Sequence, residues 1–94
     1  MTPLTTLPEI GPVTARLLVD VGVPDAETLR TVGTRAAFTR IREQADPGAC
    51  VQLLYGLEGA VRGVPSSRLD PGVKAELRAW FRMPPAMDQT VVSS

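Results

Sequence analysis

A stripe of apolar residues runs through the middle of the chain, and an amphipathic helix is the regular structure that fits its spacing. Apolar side chains recur there at the i, i+3, i+4 and i+7 positions over about four turns. We predict that this segment is the central core helix, starting at Asp46-Pro47 and ending near Arg62, with Gly63 as its C-terminal cap. The stripe comprises Cys50, Leu53, Leu54, Leu57, Ala60, Val61 and Val64.

Short breaks containing Asp, Pro and Gly divide the rest of the chain into further helices. No run of alternating apolar and polar residues predicts a strand. The sequence therefore predicts an all-α fold, a compact bundle of about five short helices over residues 1–83, followed by a disordered tail over residues 84–94. The other four helices are predicted to start at Gly11-Pro12, Asp25, Thr34 and Asp70-Pro71, and to end at Gly22, at Gly33, near Ala45 and near Arg82.

Each predicted helix has an apolar face for the core. Cys50 lies on the central stripe, which favours a small buried hydrophobic residue over a reactive thiol. Trp80 and Phe81 are assigned to the core, with the alternative that a terminal helix presents one of them to a partner. The remaining inward-facing residues are predicted to be Val13, Leu17, Leu18, Val21, Ala37, Phe38, Ile41, Val73 and Leu77.

The composition excludes several classes of function. Histidine is absent and Cys50 is the single cysteine, so the usual zinc ligand sets, the Ser-His-Asp triad and the Cys-His dyad are unavailable. We therefore predict a non-enzymatic protein with no catalytic residue, no metal or cofactor site and no small-molecule substrate. We find neither a secretory signal nor an apolar run that would span a membrane, which predicts a cytoplasmic protein.

The charge balance bears on nucleic-acid binding. Ten Lys and Arg residues match ten Asp and Glu residues, so the formal net charge is zero. Proteins that bind nucleic acid usually carry a basic excess, because much of their affinity comes from neutralising phosphates. The balance argues against strong DNA binding and leaves a local basic patch as the remaining route.

A repeat in the first half of the chain predicts two similar corners. Residues 7–15 and 29–37 share the pattern L-x-x-[I/V]-G-x-x-x-A, which predicts an apolar anchor, a tight turn through Gly and a new helix. The pattern resembles the helix-hairpin-helix motif in two tandem copies. In that motif, backbone amides at a helix N-terminus contact a DNA phosphate. The resemblance implies candidate nucleic-acid contacts at Gly11, Val13, Thr14, Gly33, Thr34 and Arg35.

Both copies differ from DNA-binding hairpins, which usually carry the sequence G-x-G. Glu9 replaces the first glycine in one copy and Thr31 replaces it in the other. A carboxylate at Glu9 repels a phosphate and Pro12 lacks an amide donor, so the first copy is the weaker candidate. The second copy has several arginines nearby. Turn chemistry alone also explains both glycines, and we favour this structural interpretation. The nearby arginines are Arg30, Arg35, Arg40 and Arg42.

Several segments together resemble the C-terminal domain of TfoX-type (Sxy-type) competence regulators over approximately residues 4–82. The family's "LYALEGA" signature is close to Leu53–Ala60, which reads LLYGLEGA. The resemblance implies an all-helical fold with helix-hairpin-helix-like features and a role in bacterial regulation of competence genes. Full-length members carry an α/β domain before this one, so we expect a stand-alone domain here. The other matching segments are LPEIG at residues 7–11, GV at 22–23, LRTVG at 29–33 and DPGAC at 46–50.

These observations favour a regulatory or interaction module whose partner is another protein. Tyr55 and Glu58, three residues apart on the central helix, are candidate partner contacts, or alternatively hold that helix to a neighbour. Gly56 and Gly59 interrupt the same helix, which predicts close packing of another helix there. Weak, sequence-independent DNA binding through the hairpin-like turns is the alternative function. The sequence predicts no oligomeric state.

Overall fold

Over residues 1–83, which the computed structural model describes, the chain forms five α-helices, two 3₁₀ turns and no strand. This arrangement confirms the predicted all-α bundle. The predicted disordered tail, residues 84–94, lies outside the described residues. The helices are α1 (Pro12–Asp20), α2 (Ala26–Val32), α3 (Thr34–Gln44), α4 (Val51–Arg62) and α5 (Pro71–Arg82), and the 3₁₀ turns are Leu4–Thr6 and Ser66–Arg68.

Helix α4 is the centre of the bundle, as its apolar stripe predicts. It packs against α2, α3, α5 and the second 3₁₀ turn. Burial of its apolar face supplies much of the driving force for folding, at roughly 25 cal/mol per Å² removed from water. The largest side chains that are fully buried around it are Phe38, Leu18, Leu29, Ile41, Leu54, Leu57 and Val23.

Three predicted helix boundaries agree closely with the structure. The Asp25 carboxylate accepts a hydrogen bond from the Thr28 amide at 2.8 Å and so caps the first turn of α2. Asp70 caps α5 ahead of a proline in the first turn. Gly63 ends α4 in the left-handed conformation, with φ of 78°.

The predicted start of α4 is wrong. The helix begins at Val51, and Asp46-Pro47 forms a turn in which the Asp46 carboxylate accepts a hydrogen bond from the Gly48 amide at 3.0 Å. Ala49 is buried directly after this turn, so the chain enters the core before it becomes helical. Cys50 is therefore the exposed N-cap residue of α4, and its prediction as a buried residue is also wrong.

The apolar face predicted for α1 is correct only towards its C-terminal end. Leu18 and Val21 are buried and Leu17 packs against the core, whereas 75% of Val13 is exposed. Val13 lies in the first turn of α1, beyond the segment through which the helix contacts the core. Val73, Trp80 and Phe81 of α5 are half-buried against the core, and Leu77 is fully within it.

Other parts of the chain pack closely against the glycines of α4, but these parts are not α-helices. A Cβ atom at Gly59 would lie 2.5 Å from the Val64 carbonyl oxygen, in the segment that connects α4 to the second 3₁₀ turn. A Cβ atom at Gly56 would lie 3.6 Å from the Cβ atom of Glu9, in the first hairpin-like turn. The expectation of a packed helix is wrong in that detail, because non-helical backbone occupies this face.

Candidate partner-binding cleft

The N-terminus of α3 opens onto a cleft of about 560 Å³ that lies between α3, α4 and α5. Its lining combines apolar side chains with charges of both signs. Each of the three helices contributes, so the cleft exists only in the folded bundle. The apolar side chains are Val32, Val61, Val73 and Leu77, the charged side chains are Arg35, Glu58, Arg62 and Glu76, and Gly33, Thr34 and Ala36 complete the lining.

Glu58 sets the electrostatics of one wall of the cleft. Its carboxylate forms an ion pair with Arg62 on the next turn of α4. Burial alone raises the pKa of the Glu58 carboxyl, but Arg62 and the Thr34 hydroxyl, aided by the charge of Arg35, outweigh burial and lower the pKa. Thr34 and Arg35 are the first residues of α3, so a carboxylate of the protein itself lies at the positive end of this helix.

The arginines of α3 lie against aromatic rings beside the cleft. The Arg35 guanidinium carbon is 5.8 Å from the centre of the Trp80 ring, and that of Arg42 is 5.5 Å from the centre of the Phe81 ring. Phe38 packs edge-on against both rings of α5, at 6.0 and 5.8 Å between ring centres. The cleft and these rings form one continuous surface through Arg35.

The structure brings together part of the set of candidate residues. Gly33, Thr34, Arg35 and Glu58 all line the cleft. The candidates of the first copy of the repeat, Gly11, Val13 and Thr14, lie at the start of α1 and are not among the residues of the cleft.

Tyr55, the other candidate for partner contact, faces α5. Its ring is buried, and its phenol oxygen accepts a hydrogen bond from Arg78 at 3.3 Å. The ammonium group of Lys74 lies 5.6 Å from the ring centre. Tyr55 therefore joins α4 to α5, whereas Glu58, one turn further along, reaches the cleft.

Comparison with known proteins identifies the family. The model of the TfoX C-terminal domain family matches residues 1–81 of this chain. The chain belongs to the TfoX C-terminal domain family. Protein Sxy of Escherichia coli (strain K12) is 30% identical over 77 residues, which make up 82% of this chain. Those residues make up 36% of Sxy, so the chain spans little more than a third of that relative's length.

Two solved structures share the fold of this TfoX C-terminal domain. An uncharacterized protein from Listeria monocytogenes, in a triclinic crystal form, matches with a TM-score of 0.78 and 41% identity over 80% of this chain and 84% of that chain. A protein of unknown function from the same organism, in a tetragonal form, matches with a TM-score of 0.79 and 40% identity over 82% of this chain and 93% of that chain.

The two copies of the repeat adopt different backbones in this family member. In the first copy, Glu9 takes a positive φ of 70° at the position of the replaced glycine, and its carboxylate accepts a hydrogen bond from the Ser66 amide at 3.2 Å. In the second copy, Thr31 is helical and Gly33 alone, with φ of 92°, separates α2 from α3. Equal sequence patterns therefore produce one multi-residue turn and one single-residue corner.

The sequence does not identify seven of the lining residues as site residues, namely Val32, Ala36, Val61, Arg62, Val73, Glu76 and Leu77. Val61, Val73 and Leu77 lie on the apolar faces of α4 and α5, which the sequence assigns wholly to the core. Arg62 had a visible signal, because it follows Glu58 by four residues on one helix. The sequence does not distinguish apolar residues in the core from those that border a cleft. Only the packing of the helices determines which turn of an apolar face is left without a neighbouring helix.

No group of three or more His, Cys, Asp or Glu side chains within residues 1–83 is arranged to hold a metal ion. No helix within the same range has the length and apolarity needed to cross a membrane.

Proposed function

We propose that this domain is a non-enzymatic regulatory module of the competence type, which acts by binding a segment of a partner protein in the cleft between α3, α4 and α5. Membership of the TfoX C-terminal domain family and the relation to Sxy support the regulatory role. The cleft carries the binding role. Three of its apolar side chains, Val32, Val61 and Val73, are only half-buried and lie between charges of both signs, a combination typical of sites that take peptide segments.

The electrostatics of the cleft favour protein over DNA. The positive end of α3, where a hairpin would hold a phosphate, is already next to the Glu58 carboxylate. Glu76 adds a second carboxylate to the same cleft. The surface of duplex DNA is mostly charged phosphate and polar base edges, with the thymine methyl group as its main apolar feature in the major groove, so it matches Val61 and Val73 poorly.

Position-dependent photo-crosslinking in cells tests this proposal. A benzophenone amino acid replaces Ala36, which is exposed in the lining of the cleft, or Ala75, which is exposed on α5 outside the lining. We expect a protease-sensitive adduct to one protein from position 36 and none to that protein from position 75. Equal adducts from both positions, or a nuclease-sensitive adduct from position 36, would overturn the proposal.

The alternative of DNA binding has its own test. A labelled duplex is titrated with the protein at low and at physiological salt, and fluorescence anisotropy is measured for the wild type and Arg35→Glu. Our proposal predicts no salt-dependent binding by the wild type. Micromolar affinity that falls steeply with salt and disappears in Arg35→Glu would assign the turn before α3 to DNA.

A further inference from the structure

The cleft continues into a surface that we call the arginine–aromatic surface, defined by Arg35 and Arg42 of α3 and by Trp80 and Phe81 of α5. Both rings are half-buried, so part of each remains exposed to solvent beside the guanidinium groups. Arg42 contacts two rings, since its guanidinium carbon is also 5.2 Å from the centre of the Phe38 ring. Stacking of this kind restricts the arginine side chains before any partner arrives, which reduces the entropy lost on binding.

Neither arginine of this surface forms a direct ion pair among the described residues, and Arg35 acts on the Glu58 carboxylate only at longer range. The ion pairs within residues 1–83 join Arg16 to Asp20 and Arg62 to Glu58. Arg35 and Arg42 thus present two positive charges, about two turns apart on α3, with their hydrogen-bond donors available for a carboxylate.

We propose that the segment bound in the cleft is acidic and amphipathic, with apolar side chains against Val61 and Val73 and carboxylates on Arg35 and Arg42. This inference rests on the proposed function and adds the chemistry of the partner. Charge complementarity supports this inference, because two arginines of α3 that form no direct ion pair within residues 1–83 lie beside the half-buried apolar side chains of the cleft.

The same charges orient the segment. Glu76 lines the cleft one turn before Trp80 on α5, and it repels carboxylates. The acidic side chains of the partner therefore lie over α3, and its apolar or basic side chains lie over the first half of α5.

Binding of synthetic peptides tests the inference. The probe is a 16-residue helical peptide with Leu at i, i+3, i+4 and i+7 and Glu at the flanking positions, and the matched control peptide has Lys in place of every Glu. The chain has one tryptophan, so the indole N–H signal of Trp80 in NMR spectra reports binding at this surface without assignment of the whole spectrum. We expect the Glu peptide to shift the Trp80 signal in a saturable way and the Lys peptide to leave it unchanged.

Variants that each remove one positive charge show how much the two arginines contribute to the affinity for the Glu peptide. Arg35→Gln and Arg42→Gln each weaken the Glu peptide by about two- to fivefold, in line with a partly exposed ion pair. Arg16→Gln on α1, whose arginine is 79% exposed, is the control and leaves the affinity unchanged. Arg35 is exposed on the first turn of α3, so its variant serves as a second test should Arg42→Gln disturb the packing of Phe38 and Phe81.

Several results would overturn the inference. These are no saturable shift by the Glu peptide at millimolar concentration, equal binding of the Lys peptide, or affinity that is unchanged in both arginine variants. A shift of Trp80 by an oligothymidine and not by the Glu peptide would assign the surface to single-stranded nucleic acid. If the cross-linked partner binds in the cleft yet is insensitive to both arginine variants, the proposed function stands and only the acidic chemistry fails.

Discussion

Residues at equivalent positions of the repeat adopt different backbone conformations. Gly11 and Gly33 occupy the same position of the pattern, but φ is −88° at Gly11 and 92° at Gly33. Any residue adopts the first value, whereas the second lies in a region that L-residues rarely enter. The sequence indicated a turn at both positions, and it could not reveal which glycine the turn requires.

Alanine substitutions at the two glycines are expected to differ in their effect on stability. We expect Gly33→Ala to lower the free energy of unfolding by about 1–3 kcal/mol, because the backbone there becomes strained. Gly11→Ala is the matched control and changes stability by less than about 1 kcal/mol, because its φ is ordinary and a Cβ atom there meets nothing within 4 Å. Urea denaturation measures both. Equal losses for the two variants would contradict the backbone conformations described above.

The same sequence signal predicts one helix start correctly and another incorrectly. The triplet Asp-Pro-Gly occurs at residues 46–48 and at 70–72, and in both cases the Asp carboxylate accepts a hydrogen bond from the Gly amide. The second triplet starts α5, whereas the first forms a turn before α4. The hydrogen bond within the triplet is the same, but the next residue differs: Ala49 is buried in the core before α4 begins, whereas Val73 is half-buried within α5.

Alanine substitutions at the two glycines within α4 are expected to change the stability of the protein in opposite directions. Gly59→Ala places its Cβ atom 2.5 Å from the Val64 carbonyl oxygen, and the backbone must move, so we expect a loss of about 1–3 kcal/mol. Gly56→Ala makes an ordinary contact of 3.6 Å with Glu9, and the better helix propensity of Ala stabilises the protein by about 0.5–1 kcal/mol. Thermal unfolding followed by circular dichroism measures the difference. A loss of stability in Gly56→Ala with none in Gly59→Ala would contradict the packing of this face.

The Glu27 carboxylate of α2 forms hydrogen bonds with the start of the chain. Glu27 accepts hydrogen bonds from the Thr2 amide at 2.8 Å and the Thr2 hydroxyl at 2.6 Å, and the Thr2 carbonyl accepts one from the Ala26 amide. The side-chain hydrogen bond from Thr2, followed by the backbone hydrogen bonds, lowers the pKa of Glu27 from 4.5 to about 2.

Acidification is therefore expected to release this contact. A carboxyl whose pKa is lower in the folded state stabilises the fold above pH 4.5, and the contribution disappears as the pH falls towards 2. NMR titration of the Glu27 carboxyl, with hydrogen exchange of the Thr2 amide, measures the effect. In Glu27→Gln, exchange at Thr2 should be fast at neutral pH and independent of pH between 4.5 and 2, apart from intrinsic exchange. A Glu27 pKa near 4.5 would contradict the contact.

The molecule as a whole explains why its fold is easier to predict than its candidate binding cleft. Helix periodicity and caps lie within short segments, so the all-α bundle and most helix ends could be read from them. The cleft requires three helices to meet, and it combines Arg35 and Glu58, which the sequence indicated separately, with Val73 and Leu77, which it assigned to the core. A net charge of zero also gives no sign that Arg35 and Arg42 lie together beside the aromatic rings of α5.

Calorimetric titration of the cross-linked partner with three forms of the domain decides whether the cleft is the binding site. The forms are the wild type, Ala36→Trp, which fills the cleft from its exposed edge, and Ala75→Trp, which adds the same side chain outside the lining. We predict that Ala36→Trp weakens binding at least roughly tenfold, since the partner loses its apolar contacts, while Ala75→Trp matches the wild type. Equal affinity of all three forms, with their folds intact, would contradict a partner-binding role for the cleft.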